Sequence, residues 1–223
     1  MPTREELKHQ ILEFTRGLDE SVLPSEAERD ELRALCDQLC PHTPTPRPID
    51  QQEVSQGVWL TRFASFGVKH TEGQPLQHDT NLKLQSFGKL PSAPARVHKL
   101  HQEIEVSSKA YNNVVFVSNA AGDTDAVIVM EGVYSGDDEN PQRYAVAFQK
   151  VSLQSSNGLS DDDLRAAFGI EGDEPLSKEF RPPKLHSDIV YVDEDLRINY
   201  GGLGGFYVLQ RTTEPGFSVP LNR

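Results

Sequence analysis

Apolar residues recur at helical spacing over the first forty positions of the chain and at alternate positions from about residue 56 onward. A capping box that begins at Thr3 predicts one helix, and a second box that begins at Ser25 predicts another. Because so short a helix pair is marginal in water on its own, we expect its apolar side chains to be buried against the rest of the chain. Those side chains are Leu7, Ile11, Phe14, Leu32 and Leu35.

The second part of the chain shows the alternation that antiparallel sheets require. β-Branched and aromatic residues alternate with polar ones between turn residues. Strands are predicted near residues 58–66, 81–87, 97–106, 113–119, 126–134, 144–153, 189–192, 196–200 and 206–211. The pattern favours an up-and-down antiparallel β-barrel of eight or nine strands, although a sandwich would give much the same pattern.

Three prolines between positions 44 and 48 predict an extended connector, which divides the chain into a helical hairpin at 1–48 and a mainly β domain at 49–223. A helical and acidic insertion interrupts the strands near residues 155–183. Ser160 is its predicted N-cap, and a proline-containing loop follows the short helix. This insertion is either a solvated decoration, which is the favoured interpretation, or a lid over a cavity.

Composition excludes some classes of partner. The chain has 223 residues, 36% of them hydrophobic, and 34 acidic against 22 basic side chains give a net charge of -12. Such a charge repels phosphate backbones, so no nucleic-acid partner is expected. No apolar run reaches the roughly 20 residues of a membrane span, and the start is acidic, so we expect an unexported protein.

Candidate chemistry is sparse. Cys36 and Cys40 share one helix face and are interpreted as buried thiols rather than a metal or redox pair. His98 and His101 would point to opposite faces of a strand, so no metal site is predicted. The glycine-rich run at 201–205 joins two strands and does not open a helix, which indicates a turn and not a phosphate loop. No catalytic residues and no cofactor are therefore predicted, and the chain is not expected to be an enzyme.

Two motifs carry a resemblance to known proteins. Gly57-Val58-Trp59 resembles the Gly-x-Trp motif of lipocalin-like barrels, in which a basic residue of the last strand lies across the indole. Here that residue would be Arg211. The run YVDEDLRI at 191–198, followed by the glycine-rich turn and an apolar strand, is similar to the closing hairpin of the fibrillin family, also called plastid lipid-associated proteins. The order of helical hairpin, proline-rich connector and Gly-x-Trp resembles that family too.

The resemblance implies a lipocalin-like barrel that binds or sequesters an apolar small molecule or lipid, such as a prenylquinone, carotenoid or fatty acid, in or near photosynthetic membranes. It implies a thylakoid-associated or cytoplasmic protein of a cyanobacterium, or a plastid protein if the chain is a mature form. Peripheral association with a membrane or lipid droplet would fit. Two alternatives stay open: a pigment- or lipid-modifying enzyme such as a bilin lyase or isomerase, and a module that docks a lipid-metabolism enzyme through the hairpin or the insertion.

Candidate site residues follow from the strand pattern. Large aromatics at alternating positions are expected to line an apolar cavity, although the same side chains could fill the barrel solidly. Arg197 is a candidate contact for a ligand headgroup, or it neutralises Asp193 or Asp195, which is the favoured interpretation. A contact between Trp59 and Arg211 is expected to close the barrel. The aromatic candidates are Phe63, Tyr144, Phe148 and Phe206.

Overall fold

A computed structural model describes residues 2–18, 24–65, 82–83, 90–179, 181, 185–202 and 204–218. The helices are α1 (Arg4–Gly17), α2 (Glu26–Leu39) and α3 (Asp161–Phe168), with short 3₁₀ turns at Cys40–His42 and Gln52–Ser55. The strands are β1 (Gly57–Ser65), β2 (Leu82–Lys83), β3 (Pro94–Glu105), β4 (Ala110–Asn119), β5 (Asp125–Gly136), β6 (Arg143–Ser155), β7 (Ser177–Glu179), β8 (Leu185–Val192), β9 (Leu196–Gly201) and β10 (Phe206–Arg211). Most of the strand predicted near 81–87 lies outside the described residues.

Eight strands form a closed antiparallel ring. Its order is β1, β3, β4, β5, β6, β8, β9 and β10, and β1 pairs with both β3 and β10. Apart from the short strands β2 and β7, which pair with β3 and β6, neighbours in the ring follow one another along the chain. The mainly β, lipocalin-like antiparallel arrangement predicted from the sequence is confirmed, and it is one sheet closed on itself, not two stacked sheets.

The helical hairpin lies on the outside of the ring. Thr3 and Ser25 both form the predicted capping boxes. Leu7, Ile11 and Leu32 are buried as expected, while Phe14 and Leu35 are only partly buried. We call the shared apolar contact the hairpin cluster, and its buried members are Leu7, Ile11, Leu32, Cys36, Leu39, Phe63, Tyr191, Leu196, Ile198, Phe206 and Val208.

The two cysteines belong to this hairpin. Both are free thiols, with Cys36 buried and Cys40 partly buried. Burial raises the pKa of both thiols, that of Cys40 to about 12. Since the thiolate is the reactive form, both side chains act as small apolar groups at neutral pH.

An ion pair fastens α1 to the turn between β8 and β9. Lys8 Nζ lies 2.6 Å from Asp195 Oδ1 and 2.8 Å from Asp193 Oδ2. Asp193 also accepts hydrogen bonds from the Tyr191 hydroxyl and from the backbone N–H of Leu196. Burial opposes its ionisation, but hydrogen bonds with Asp195, Lys8 and Tyr191 outweigh burial and hold the pKa of Asp193 below its usual range. Lys8 therefore supplies the positive charge that this acidic turn requires.

Replacing Lys8 by Met should lower the free energy of unfolding by about 2 kcal/mol, because it leaves the buried Asp193 carboxylate without its cation. A carboxylate with a depressed pKa stabilises the fold above its unfolded pKa and loses that contribution as the pH falls, so the loss should shrink at acid pH. Urea unfolding at several pH values measures it. Arg16→Met is the control, since Arg16 pairs with Glu13 on the exposed face of α1. Equal effects of the two substitutions would contradict the prediction.

The insertion covers one end of the ring. Ser160 caps α3 as predicted, and Leu164 and Phe168 of α3 are buried. Together with Ile170 and Leu176 they join an end cluster with inward residues of β3, β4, β5 and β6. The interpretation of the insertion as a solvated decoration is therefore wrong, because its apolar side chains complete the core at this end. None of the helices in the described ranges is long and apolar enough to cross a membrane.

Candidate functional site inside the ring

Trp59 of β1 is the centre of the candidate site. Its side chain is fully buried, and its Nε1 donates to the Ser55 carbonyl at 2.9 Å. Two guanidinium groups lie over its ring. The Cζ atom of Arg211 is 4.2 Å from the ring centroid, and that of Arg197 is 4.7 Å away. The contact expected between Trp59 and Arg211 is present, and its contribution to stability stays a prediction.

Arg211 donates hydrogen bonds to three backbone carbonyls around it. Its Nη2 donates to the Val54 carbonyl at 2.6 Å, its Nη1 to the carbonyl of Gln56 and its Nε to that of Glu194. Gly57 has φ +118, and a Cβ there would lie 3.0 Å from Arg211 Nη1. Glycine therefore begins the Gly-x-Trp motif for two reasons: the backbone is in the left-handed half of φ space, and the guanidinium occupies the space of a side chain.

Arg197 of β9 is buried without comparable compensation. Its side chain is 0% exposed, and its Nη2 donates to Gln102 Oε1 at 2.5 Å. Its Nε and Nη1 find no acceptor, and no ion pair involving it occurs in the described part of the chain. Burial lowers the pKa of Arg197 to about 10. The favoured interpretation that Arg197 neutralises Asp193 or Asp195 is wrong, since both carboxylates pair with Lys8 of α1 instead.

Further uncharged polar groups share the interior with Arg197. Gln102 Oε1 also accepts from the Tyr111 hydroxyl at 3.0 Å, and Asn113 is paired directly opposite Gln102 across β3 and β4. Asn199 is fully buried on the same side of β9 as Arg197, and neither its oxygen nor its nitrogen has a partner among the described residues. Asn113 Oδ1 is likewise unpartnered there. We call these residues the polar layer: Gln102, Tyr111, Asn113, Arg197 and Asn199.

An aromatic group adjoins the polar layer. Tyr134 and Tyr144 stack with ring centroids 4.7 Å apart, and Tyr111 meets Phe148 edge-on at 6.3 Å. The Tyr144 hydroxyl donates to Ser55 Oγ at 3.2 Å. We call this group the interior cluster, whose buried members are Trp59, Ile104, Tyr111, Tyr134, Tyr144, Val146, Phe148, Ile189, Val192 and Leu209.

The four aromatics proposed from the sequence lie on both sides of the ring wall. Tyr144 and Phe148 belong to the interior cluster, whereas Phe63 and Phe206 belong to the hairpin cluster, with ring centroids 4.9 Å apart. Strict alternation would put Phe63 on the same side as Trp59. A β-bulge between Thr61 and Phe63 inserts one residue and turns Phe63 outward.

Sequence reasoning missed Gln102, Asn113 and Asn199. A signal for Asn199 was available, because the run Leu196 to Tyr200 alternates apolar and polar residues and so sets Arg197 and Asn199 on one side. For Gln102 and Asn113 no signal separates an inward polar side chain from a solvated one. Within the described ranges, no group of His, Cys, Asp and Glu side chains could hold a metal ion.

Gly132 of β5 allows the interior cluster to approach the sheet closely. A Cβ at this position would lie 2.9 Å from Phe148 Cδ1 and 2.9 Å from the Tyr111 carbonyl oxygen. Gly132→Ala should therefore lower the free energy of unfolding by about 2 kcal/mol, because the clash involves backbone and a packed ring. Chemical denaturation measures the change. Gly17→Ala is the control, since a Cβ at Gly17 meets nothing within 4 Å, and a comparable loss there would contradict the explanation.

Comparison with known proteins finds one family and several relatives. The PAP_fibrillin family model matches residues 5–210. The probable plastid-lipid-associated protein 3 of rice is 25% identical over 95% of this chain and 60% of its own length. Its Arabidopsis thaliana counterpart is 25% identical over 92% of the chain and 58% of its own length. The chromoplast-specific carotenoid-associated protein of Cucumis sativus is 24% identical over 91% and 66%.

The chain thus spans less than two thirds of the length of these relatives. No solved structure matches it significantly.

Proposed function

This chain belongs to the PAP_fibrillin family, and from that premise we propose that it binds an apolar small molecule or lipid inside its ring without transforming it. A prenylquinone, a carotenoid or a fatty acid is the class of ligand considered. We propose a plastid or a cyanobacterium as its setting, at or near a photosynthetic membrane. The names of the relatives support this, since they describe chloroplastic lipid-associated proteins and a chromoplastic carotenoid-associated protein.

The observation that carries the proposal is the polar layer. Nearly all buried polar atoms in folded proteins are hydrogen-bonded, yet Arg197 and Asn199 keep unpartnered atoms among the described residues. These atoms lie beside Trp59 and the interior cluster, so polar and apolar recognition meet inside one ring. Ligand sites in proteins commonly combine a mainly aromatic lining with a few directed polar groups.

The proposed ligand contacts follow from the two sides of the ring wall. A ligand inside the ring would contact Tyr144, Phe148 and Arg197. A ligand held between ring and hairpin would instead contact Phe63 and Phe206. We favour the interior, because unpartnered atoms of Arg197, Asn113 and Asn199 lie there together and the hairpin cluster is an apolar contact.

Phe148→Leu and Phe206→Leu test which side of the wall holds the ligand. Both substitutions remove part of an aromatic ring from a buried apolar cluster. Phe148→Leu should weaken binding about three- to tenfold through lost apolar contact, while Phe206→Leu should leave the affinity unchanged. Isothermal titration of each variant with the same ligand gives the comparison. The opposite ranking would move the site to the hairpin side.

The function itself is tested by titration of the protein with a prenylquinone, a carotenoid and a long-chain fatty acid. Trp59 is the single tryptophan of the chain, so its emission reports directly on the ring interior. A ligand that binds the folded state also raises the melting temperature. The surface variant Phe217→Ser is the control, because Phe217 is exposed and should not change a response from the interior.

We expect a saturable change in emission and in melting temperature for at least one ligand. We also expect an apolar molecule in an organic extract of the natively purified protein, identified by mass spectrometry. No saturable response to any of the three, together with an empty extract, would refute ligand binding.

A further inference from the structure

We propose that the ring interior selects an amphiphile with a single anionic head, a long-chain carboxylate, which pairs with Arg197. The inference rests on the proposed function, since it names the class of ligand that the same site takes. It also makes Arg197 the residue that determines specificity.

Arg197 carries a positive charge inside the ring. The side chain is 0% exposed, and none of the described carboxylates lies within salt-bridge distance of it. Asp193 and Asp195, in the turn before β9, pair with Lys8. Because a buried charge is strongly unfavourable unless it is paired, the site has a place for a negative charge.

Two nitrogens of Arg197 carry N–H groups without an acceptor among the described residues. Arg197 uses Nη2 for Gln102, which leaves Nε–H and Nη1–H available. Asn199, two positions further along the same side of β9, adds an unpartnered amide nitrogen among the described residues. A guanidinium with two free donors suits the two oxygens of a carboxylate.

An anion would meet the requirements of Arg197 better than a buried water molecule would. A buried water molecule would satisfy the free N–H groups, but it would not neutralise the guanidinium. A neutral carbonyl, as in a quinone, has the same shortcoming. Arg197 is the one cation of the polar layer, and a carboxylate supplies the single negative charge that pairs with it.

The two arginines over Trp59 differ in how many of their nitrogens have a hydrogen-bond partner. Each of the three nitrogens of Arg211 donates to a backbone carbonyl, so this side chain holds the strands together. Arg197 has one side-chain partner among the described residues and two free donors. The apolar tail would extend from Arg197 along the interior cluster, in contact with Phe148 and Leu209.

The test compares heads on one tail. Hexadecanoate, its methyl ester and 1-hexadecanol share a sixteen-carbon chain, and each is titrated below its aggregation limit at pH 8. Trp59 emission and the melting temperature are the readouts. We expect hexadecanoate to bind at least about tenfold more tightly than the ester or the alcohol. Equal affinities would overturn the inference while leaving the proposed function intact, and no response to any of the three would count against both.

Arg197→Met locates the preference. In this variant the carboxylate should lose its advantage and bind within about threefold of the ester. Arg143→Met is the matched control, since Arg143 pairs with Asp188 and lies outside the polar layer, and it should keep the full preference. A preference that survives in Arg197→Met would place the anion elsewhere and refute the role of Arg197. The comparison of heads on the unaltered chain decides the ligand class even if a variant folds poorly.

Discussion

Replacing Arg197 by Met should raise the free energy of unfolding of the ligand-free protein by about 3 kcal/mol, although most substitutions of buried residues lower it. The reason is the cost of burying a guanidinium, whose pKa falls well below its ordinary value, to about 10. Burial is the largest cause of this shift, which corresponds to about 3 kcal/mol between the charged and neutral forms. Methionine has a similar length and requires no hydrogen bond.

The acceptor that Arg197 leaves behind is not orphaned. Gln102 Oε1 still accepts from the Tyr111 hydroxyl at 3.0 Å. The penalty for a cation whose folded pKa is depressed is fully present below that folded pKa and is relieved only as the pH rises above about 10. The gain in Arg197→Met should therefore be constant between about pH 6 and pH 9.

Urea unfolding of the delipidated protein over this pH range measures the gain. A loss of stability in Arg197→Met would show that Arg197 is a structural residue like Arg211. Combined with the binding experiment, the expected result would be a variant that folds better and binds the carboxylate worse. Such opposition between stability and function is typical of residues kept for a ligand.

Arg211→Ala should have the opposite effect and lower the free energy of unfolding by about 4 kcal/mol, because three backbone carbonyls lose charge-assisted hydrogen bonds at once. The carbonyls belong to Val54, Gln56 and Glu194, which lie before β1 and in the turn between β8 and β9. The contact with the Trp59 ring adds to the loss. This effect is larger than the contact between Trp59 and Arg211 alone would produce.

Chemical denaturation again provides the measurement, with Arg143→Ala as the control. Arg143 binds Asp188 at 2.7 Å from a partly exposed position, so its loss should cost much less than the loss of Arg211. Similar effects of the two substitutions would show that Arg211 is a surface residue in energetic terms. Gly57→Ala offers a second check, because its clash with Arg211 Nη1 should disappear in the double variant and make the two changes non-additive.

Sequence alone predicts the elements of this fold well and the faces of its strands less well. Capping boxes at Thr3 and Ser25 are local signals with fixed spacing, and both occur in the structure. Strand faces depend on bulges, which arise from the pairing partner as much as from the strand itself. The bulges after Thr61 and after Ile189 set Phe63 and Tyr191 against the hairpin, where strict alternation fails to predict them.

The candidate site was predictable only in part for a related reason. Arg197 was proposed because it is a cation in an apolar strand, yet its partner depends on which charged groups the fold brings nearby. Lys8 is almost 190 positions before Asp195. Because Lys8 pairs with Asp195, Arg197 does not form an ion pair with the acidic turn. A local sequence pattern does not show which of two cations, one of them far away in the chain, pairs with a given carboxylate.

The pairing of β1 with β10 also affects when the chain can fold during its synthesis on a ribosome. Trp59 is paired with Arg211, about 150 positions later, so the ring closes only through contacts of very high sequence separation, which fold slowly. During synthesis the hairpin emerges well before β8, β9 and β10, which cover its apolar face. A chain truncated before residue 206 would leave the edge of β1 that faces β10 unpaired and part of the hairpin face uncovered, two features that promote aggregation.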